Sequence, residues 1–195
     1  MPRAVPPAIA SKLPAAAAVF AEHGVDGVDG TSIKDVSELI GVPRATLYYY
    51  FAGKEDILAF LLQSLLDDIA RRVADALASG DAAIHRLRAV LATQLEVLGA
   101  NPDAAQLLVA NLGRVGRLSD IASAVDAAFH EPVRDLLAAG AADGSLRPVN
   151  VERTASAIFG AVALVGLHEI LFRGALDPSE VLEDVEELLL RGLAP

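Results

Sequence analysis

The sequence predicts an all-α protein: an N-terminal three-helix unit carrying a helix-turn-helix, joined to a larger helical domain, with about nine helices in all. Three observations predict it. Apolar side chains return at i, i+3, i+4 and i+7 along most of the 195 residues, which is the period of a helix. No stretch of useful length alternates apolar and polar residues as a half-buried strand does. Alanine, the strongest helix former, supplies much of the 53% apolar content.

The elements follow in order. Leu13, Ala16, Ala17 and Phe20 form the first stripe, which ends before Gly24; Ser11 is the expected cap, and Pro14 is tolerable in the first turn. GVDGVDG (24–30) reads as a loop by its glycines and aspartates. A short helix is expected at residues 32–39, capped by Thr31 or Ser32. The tight turn Ile40-Gly41-Val42-Pro43 follows, and a second short helix at residues 44–51 ends at Ala52-Gly53. From Lys54 a long amphipathic helix runs to about residue 78, where Ser79-Gly80 stops it. Further helices are expected at 81–99, 103–113, 118–140, 150–173 and 178–192. Their separators are Asn101-Pro102, Gly113 to Gly116, Gly140 to Pro148 and Gly174 to Pro178. The domain boundary falls between residues 1–53 and 54–195.

Composition narrows the function. Cysteine is absent, which excludes disulfides and thiolate metal sites and fits a reducing cytoplasm. The N-terminus, MPRAVPPAIASKLP, has no continuous apolar run of the signal-peptide kind. Net charge is −10. Residues 1–56 carry five cations (Arg3, Lys12, Lys34, Arg44, Lys54) and seven acids, net −2, and the remainder is net −8. No positive field covers the chain, so any DNA contact must come from a few placed cations and neutral donors.

Residues 32–51 fit a helix-turn-helix. Val36, Ile40, Val42 and Leu47 are apolar where two short helices pack, Ser37 is small where they approach, and Gly41 permits the turn. The second helix then projects Pro43 to Thr46 as a recognition helix does into a major groove. All three tyrosines of the chain, Tyr48, Tyr49 and Tyr50, stand side by side on it. Three consecutive rings cover most of a helix circumference, so at least one must face solvent or a partner.

The segment SIKDVSELIGVPRATLYYYFAGKEDIL resembles the DNA-binding part of the TetR family of one-component transcriptional regulators, and AAAAVFAEHG (15–24) is similar to that family's first helix. The resemblance covers residues 13–58. It implies a homodimer on a double-stranded DNA operator, with Thr46, Tyr49 and Lys54 on the sugar–phosphate backbone and Lys34, Ala45 and Tyr48 also at the DNA surface. The chemistry agrees: threonine and tyrosine hydroxyls position without reading sequence, a lysine beside a helix N-terminus suits phosphate, and Ala45 suits a thymine methyl. Arg44 is the candidate base reader, since a guanidinium pairs bidentately with guanine. The chain departs from the family in its N-terminal arm, where residues 1–10 hold one arginine and three prolines, and at Tyr50, where histidine is frequent. Whether Tyr50 faces DNA or the core is left open by the residues.

The larger domain offers weaker signals. Gln94, Asn111, Phe129, His130, Phe159 and His168 are polar or aromatic positions within apolar helices, and they are the candidate lining for a small, largely apolar effector. Segment 154–172 is hydrophobic nearly all round, so burial on more than one side is expected. Its uncharged run, 155–167, is 13 residues, too short for a bilayer. Gly160, Ala163 and Gly166 allow close helix approach, and this helix with the last one (Val181, Val185, Leu188, Leu189) reads either as core or as a subunit interface. The acids Glu180, Glu183, Asp184, Glu186 and Glu187 read as a solvated face. His23, His85, His130 and His168 lack metal-ligand spacing, and no nucleophile, P-loop or dinucleotide motif occurs, so no metal, cofactor or catalytic residue is expected. The reading is a ligand-responsive DNA-binding regulator of the repressor type. The alternative is a helical dimer that binds a small molecule or protein without DNA.

Overall fold

A computed structural model describes residues 4–22, 30–112, 119–190 and 193. Among the described residues the regular structure is entirely helical. The loop at 24–29, His23 and the Gly113–Gly116 separator lie outside the described residues.

The chain opens with a single turn, Pro7–Ala10, then a 3-10 turn, Leu13–Ala15, leading into α1 (Ala16–Glu22). Ser11 therefore does not cap the first stripe; it closes the preceding turn instead. Pro14 sits in the first turn of the 3-10 segment, where its missing N–H leaves no helical bond unmade. The stripe itself is intact: Leu13, Ala16 and Phe20 are wholly buried and Ala17 nearly so.

Helix α2 (Ile33–Ile40) and α3 (Arg44–Tyr50) form the helix-turn-helix, and α4 (Lys54–Leu77) leaves it as a single helix of 24 residues. Then follow α5 (Ala83–Ala100) and α6 (Pro102–Ala110). Helix α7 runs through Ser119–Val125, a π-helical turn at Asp126–His130, and Glu131–Asp143. Helix α8 is Val151–His168 extended by a π-helical turn, Glu169–Arg173, and α9 is Pro178–Val185 extended by Glu186–Leu190. Their caps follow their sequence: the side chains of Asn150 and Asp177 accept N–H bonds from the first turns of α8 and α9.

One hydrophobic core runs without a break from Leu13 to Leu193. Its centre is α5, whose Leu87, Val90, Leu91 and Leu95 are fully buried among α4, α7, α8 and α9. Helix α1 packs on α6 as well as on α2, so the N-terminal unit is seated directly on the larger domain. Phe51, at the end of α3, meets Phe60 of α4 edge-to-face at 5.8 Å, a second bolt across the same boundary.

Helix α8 differs from the expectation of burial on more than one side. Ala155, Ile158, Val162, Ala163 and Gly166 face the core, while Leu164, Val165, Leu171 and Phe172 stand exposed. Only 28% of its most apolar window is buried. The full helix, Val151–Arg173, is 23 residues and long and apolar enough to cross a membrane by length and composition, which the count of 13 uncharged residues did not suggest. Core helices of soluble bundles pass the same test, and α8 packs against α5, α6, α7 and α9. On α9, Leu188 is exposed as well, at 78%.

Candidate nucleic-acid interface and effector site

The reading head is built by local hydrogen bonds that its sequence supplies. Ser32, not Thr31, caps α2: its hydroxyl accepts from the Asp35 N–H at 3.2 Å, and the Asp35 carboxylate accepts from the Ser32 N–H at 3.1 Å. This reciprocal pair fixes where α2 begins. The helix ends at Gly41, whose φ of 63° is left-handed and costs glycine nothing. Ser37 then donates its hydroxyl to the Val42 carbonyl at 2.7 Å, tying the turn to the helix it leaves. Pro43 opens α3 by accepting the N–H of Thr46 at 2.9 Å and of Leu47 at 3.1 Å.

Packing then sorts the faces of α3. Leu47 is wholly buried against Val36 and the rest of the head core, with Ile40, Val42 and Phe51 nearly so. Because Leu47 points in, Arg44, Ala45, Tyr48 and Tyr49 point out; Tyr48 is 59% and Tyr49 55% exposed. Thr46 is half-buried. Tyr50, undecided by sequence, is half-buried and packs on the core, with its ring edge-on to Tyr49 at 4.9 Å. The tyrosine run is thus split, two rings outward and one inward.

Two predicted contacts are already engaged. Lys34 is exposed and pairs with Glu38 at 3.8 Å, a surface bridge of small worth that a phosphate can replace. Lys54 donates to the Thr31 carbonyl at 3.2 Å, pinning the entry of α2 to the start of α4. The N-terminus of α4 also differs from a bare phosphate site. Glu55 and Asp56 lie in its first turn, and Asp56 accepts the Ala52 N–H at 2.8 Å. These acids answer the helix dipole themselves.

In the larger domain Gln94, Phe129, His130 and Phe159 come together. Gln94 is buried and donates to the Ala128 carbonyl at 3.0 Å, within the π-helical turn of α7. The Phe129 and Phe159 rings lie 5.0 Å apart and His130 and Phe159 4.8 Å apart. The turn offsets α7 by one residue, and such turns recur at functional sites. Asp126 and Arg134, which the sequence reading did not select, flank the cluster in a two-pronged bridge of 2.8 and 2.9 Å. The Arg134 guanidinium holds the Asp126 carboxyl below its usual range. No periodic signal marks such a pair, because eight residues and a helical irregularity separate its members.

The other two candidates go elsewhere. Asn111 is buried, but its side-chain N–H donates to the Leu107 carbonyl at 2.8 Å, finishing its own helix. His168 is a correction: its side chain is 59% exposed on the outer face of α8, stacked on Phe172 at 4.8 Å and 3.5 Å from the Glu169 carboxylate. The apolar run around it is outer surface, and sequence alone did not separate that from a cavity wall. Of the acids on α9, Glu186 also leaves the solvated face and pairs with Arg88.

Burial lowers the His130 pKa from its ordinary value, Arg134 adds to the lowering, and Asp126 and Glu152 oppose it. A base with a depressed folded pKa binds fewer protons folded than unfolded. Stability from this group is therefore present above about pH 6.5 and falls as pH drops through that value. Urea unfolding at pH 7.5 and 5.5 is expected to show lower stability at 5.5. His130→Asn is expected to reduce that difference.

Comparison with known proteins bears on the family and the fold. Residues 13–60 match the family model described as bacterial regulatory proteins, tetR family. The chain is 31% identical over 139 residues to the HTH-type transcriptional repressor KstR2 of Rhodococcus jostii, covering 68% of this chain and 64% of that protein. The match thus spans a little under two thirds of that curated relative's length. The fold superposes on the ketosteroid transcriptional regulator KstR2 of Mycobacterium tuberculosis with a TM-score of 0.78 at 22% identity, over 98% of this chain and 97% of the other. It also superposes on the transcriptional regulator FadR of Bacillus subtilis, solved in complex with stearoyl-CoA, with a TM-score of 0.76 at 22% identity, over 93% and 97%. With a capped helix-turn-helix inside the matched residues and a helical domain of the same layout behind it, residues 13–60 belong to the tetR family of bacterial regulatory proteins, and the chain as a whole has the fold of the solved proteins it superposes on.

Proposed function

We propose that this protein is a cytoplasmic, ligand-responsive transcriptional repressor that binds a double-stranded DNA operator as a homodimer and is released by a small, largely apolar effector. One observation carries the reading: Leu47 is wholly buried while Arg44, Ala45, Tyr48 and Tyr49 share the exposed side of the same short helix. Those are a bidentate cation, a methyl and two hydroxyls, which suit an operator read by few charges. The R. jostii relative is named a repressor, which supports that sign of regulation.

Residues 1–53 act as the reading head and residues 54–195 as the effector and dimerisation part. Arg44 reads a base, Thr46, Tyr48, Tyr49 and Lys34 hold the backbone, and Lys54 adds one cation while fixing the head to α4. The exposed apolar face of α8 and α9 is the dimer contact. It holds two reading heads about 34–36 Å apart, the spacing of successive major grooves on one face of B-DNA. The effector sits at the cluster of Gln94, Phe129, His130 and Phe159. The complex of B. subtilis FadR with stearoyl-CoA supports an effector with a long apolar part. Its binding tilts α4 through the α5–α7 packing, so effector and operator oppose each other by the same factor in both directions.

Fluorescence anisotropy on the DNA flanking the coding region tests the assignment. Arg44→Ala is expected to lose about 1–3 kcal/mol at one base pair of each half-site and to relax specificity there. Lys54→Met is expected to weaken all sequences alike and to lower the salt slope by about one. Equal losses for both variants on every sequence would show that Arg44 does not read bases.

A further inference from the structure

A groove lies where the reading head meets the larger domain, and none of the residues assigned above to the effector lines it. Pro14 and Ala17 form one wall, the α4 residues Phe60 to Arg71 the floor, and the α5–α6 turn at Ala100 to Ala104 the other wall. Its volume is about 600 Å³, within the usual span of small-molecule sites. The floor is apolar at Phe60, Leu61 and Leu65: the two leucines are almost fully buried, as is Ala17 of the wall, and Phe60 is half-buried. The rim is acidic. Asp67, Asp68 and Asp103 line it against the single guanidinium of Arg71, three charges minus one, net −2.

Among the described residues, nearby cations meet only one of these carboxylates, Asp68. Arg71 is drawn to Asp68, which also takes Arg72 at 3.1 Å. Asp67 accepts only a neutral amide N–H, from Gln63 at 2.7 Å, and neither Asp67 nor Asp103 has an ion pair among the described residues. The α5 C-terminus ends in the same wall, at Ala100 and Asn101, but α6 begins there at Pro102 with Asp103 in its first turn, so the two helix ends oppose each other and the carboxylates set the charge. An anion here would face carboxylates on two sides, and a neutral hydrocarbon would leave them uncompensated. An apolar body bearing one positive charge matches both floor and rim.

We propose that this groove is a second ligand site, specific for amphipathic organic cations such as tertiary or quaternary amines. Its position gives it leverage on the reading head. Phe60 is at once part of the groove and the ring that holds Phe51 at the end of α3. Ala17 belongs to α1, which Gln106 ties to α6 through the Ala21 carbonyl at 3.5 Å. A cation between these walls shifts α1 against α4, so its occupancy is coupled to operator affinity; this coupling rests on the function proposed above, while the site itself does not.

The probe is tetrabutylammonium chloride, titrated at constant ionic strength and followed by the methyl resonances of Ala17, Leu61, Leu65 and Ala104. Saturable shifts centred on these residues are expected, with none from sodium hexanoate. Asp67→Asn with Asp103→Asn is expected to weaken binding about fivefold, as for two part-exposed charge contacts, without changing the melting temperature. The control pair Asp120→Asn with Glu131→Asn, outside the groove, is expected to leave binding as it was. Shifts that never saturate, that hexanoate reproduces, or that centre elsewhere overturn the site. If the cation binds here and the protein binds no DNA, the regulator reading fails and the groove stands. If the protein binds its operator and no cation enters, the groove fails and the regulator stands.

Discussion

Leu164→Glu combined with Phe172→Glu is expected to turn the protein into a monomer and to reduce operator affinity by a hundredfold or more. The two side chains are 58% and 76% exposed on the outer face of α8, which also carries the exposed Val165 and Leu171; Leu188 of α9 is exposed too. Each large apolar side chain buried in a partner contributes roughly 1.5–3 kcal/mol. A carboxylate in its place brings a charge that must stay hydrated. Gly160 lies on this helix with nothing within 4 Å of the place its Cβ would occupy, so the backbone of a second copy can come close there. Losing the dimer removes the tether between two weak half-site contacts, and such tethering is worth about 10²–10⁴ in affinity. Light scattering after gel filtration gives the mass, and anisotropy gives the affinity. A double variant that stays dimeric would move the interface away from α8 and α9.

Leu47→Ala is expected to destabilise the reading head by about 2–5 kcal/mol and to abolish operator binding while leaving the larger domain folded. Leu47 has no solvent exposure and joins α3 to Val36 and Ile40 of α2 and, through the same core, to Phe20 of α1. A small three-helix unit has little other apolar area to absorb the cavity. Hydrogen exchange separates this from a general loss: amides of residues 33–50 are expected to exchange faster, and those of α5 to keep their protection. Tyr48→Ala is the companion. Its ring is 59% exposed, so stability is expected to change by no more than about 0.5 kcal/mol, while DNA affinity falls. If Tyr48→Ala and Leu47→Ala unfold the head equally, α3 has no free face and cannot read a groove.

These two variants show where the sequence was legible. Within the head, each contact lies a few residues from its partner: Ser32 with Asp35, Ser37 with Val42, Gly41 at the end of its own helix. Local spacing therefore carries the structure, and the apolar stripe of Leu13, Ala16, Ala17 and Phe20 is buried as its period requires. The larger domain was legible as helices but not as surfaces. Val162 and Leu164 look equivalent in sequence, yet one is fully buried and the other 58% exposed. Phe159 and His168 are both polarisable rings in the same apolar helix; one joins Phe129 and His130, and the other stacks on Phe172 outside.

By itself the sequence determined the all-helical class, the family of the reading head and the exposed chemistry of α3. All three follow from period, caps and turn residues, which act over one or two helical turns. Tertiary structure alone decided that Tyr50 turns inward, that Lys54 reaches back to Thr31, that the outer side of α8 stays bare, and that Pro14, Leu65 and Asp103 meet in one groove. The reason is physical: which side of a helix is buried depends on neighbours contributed by remote stretches of chain, and a uniformly apolar helix carries no mark of which side they will cover.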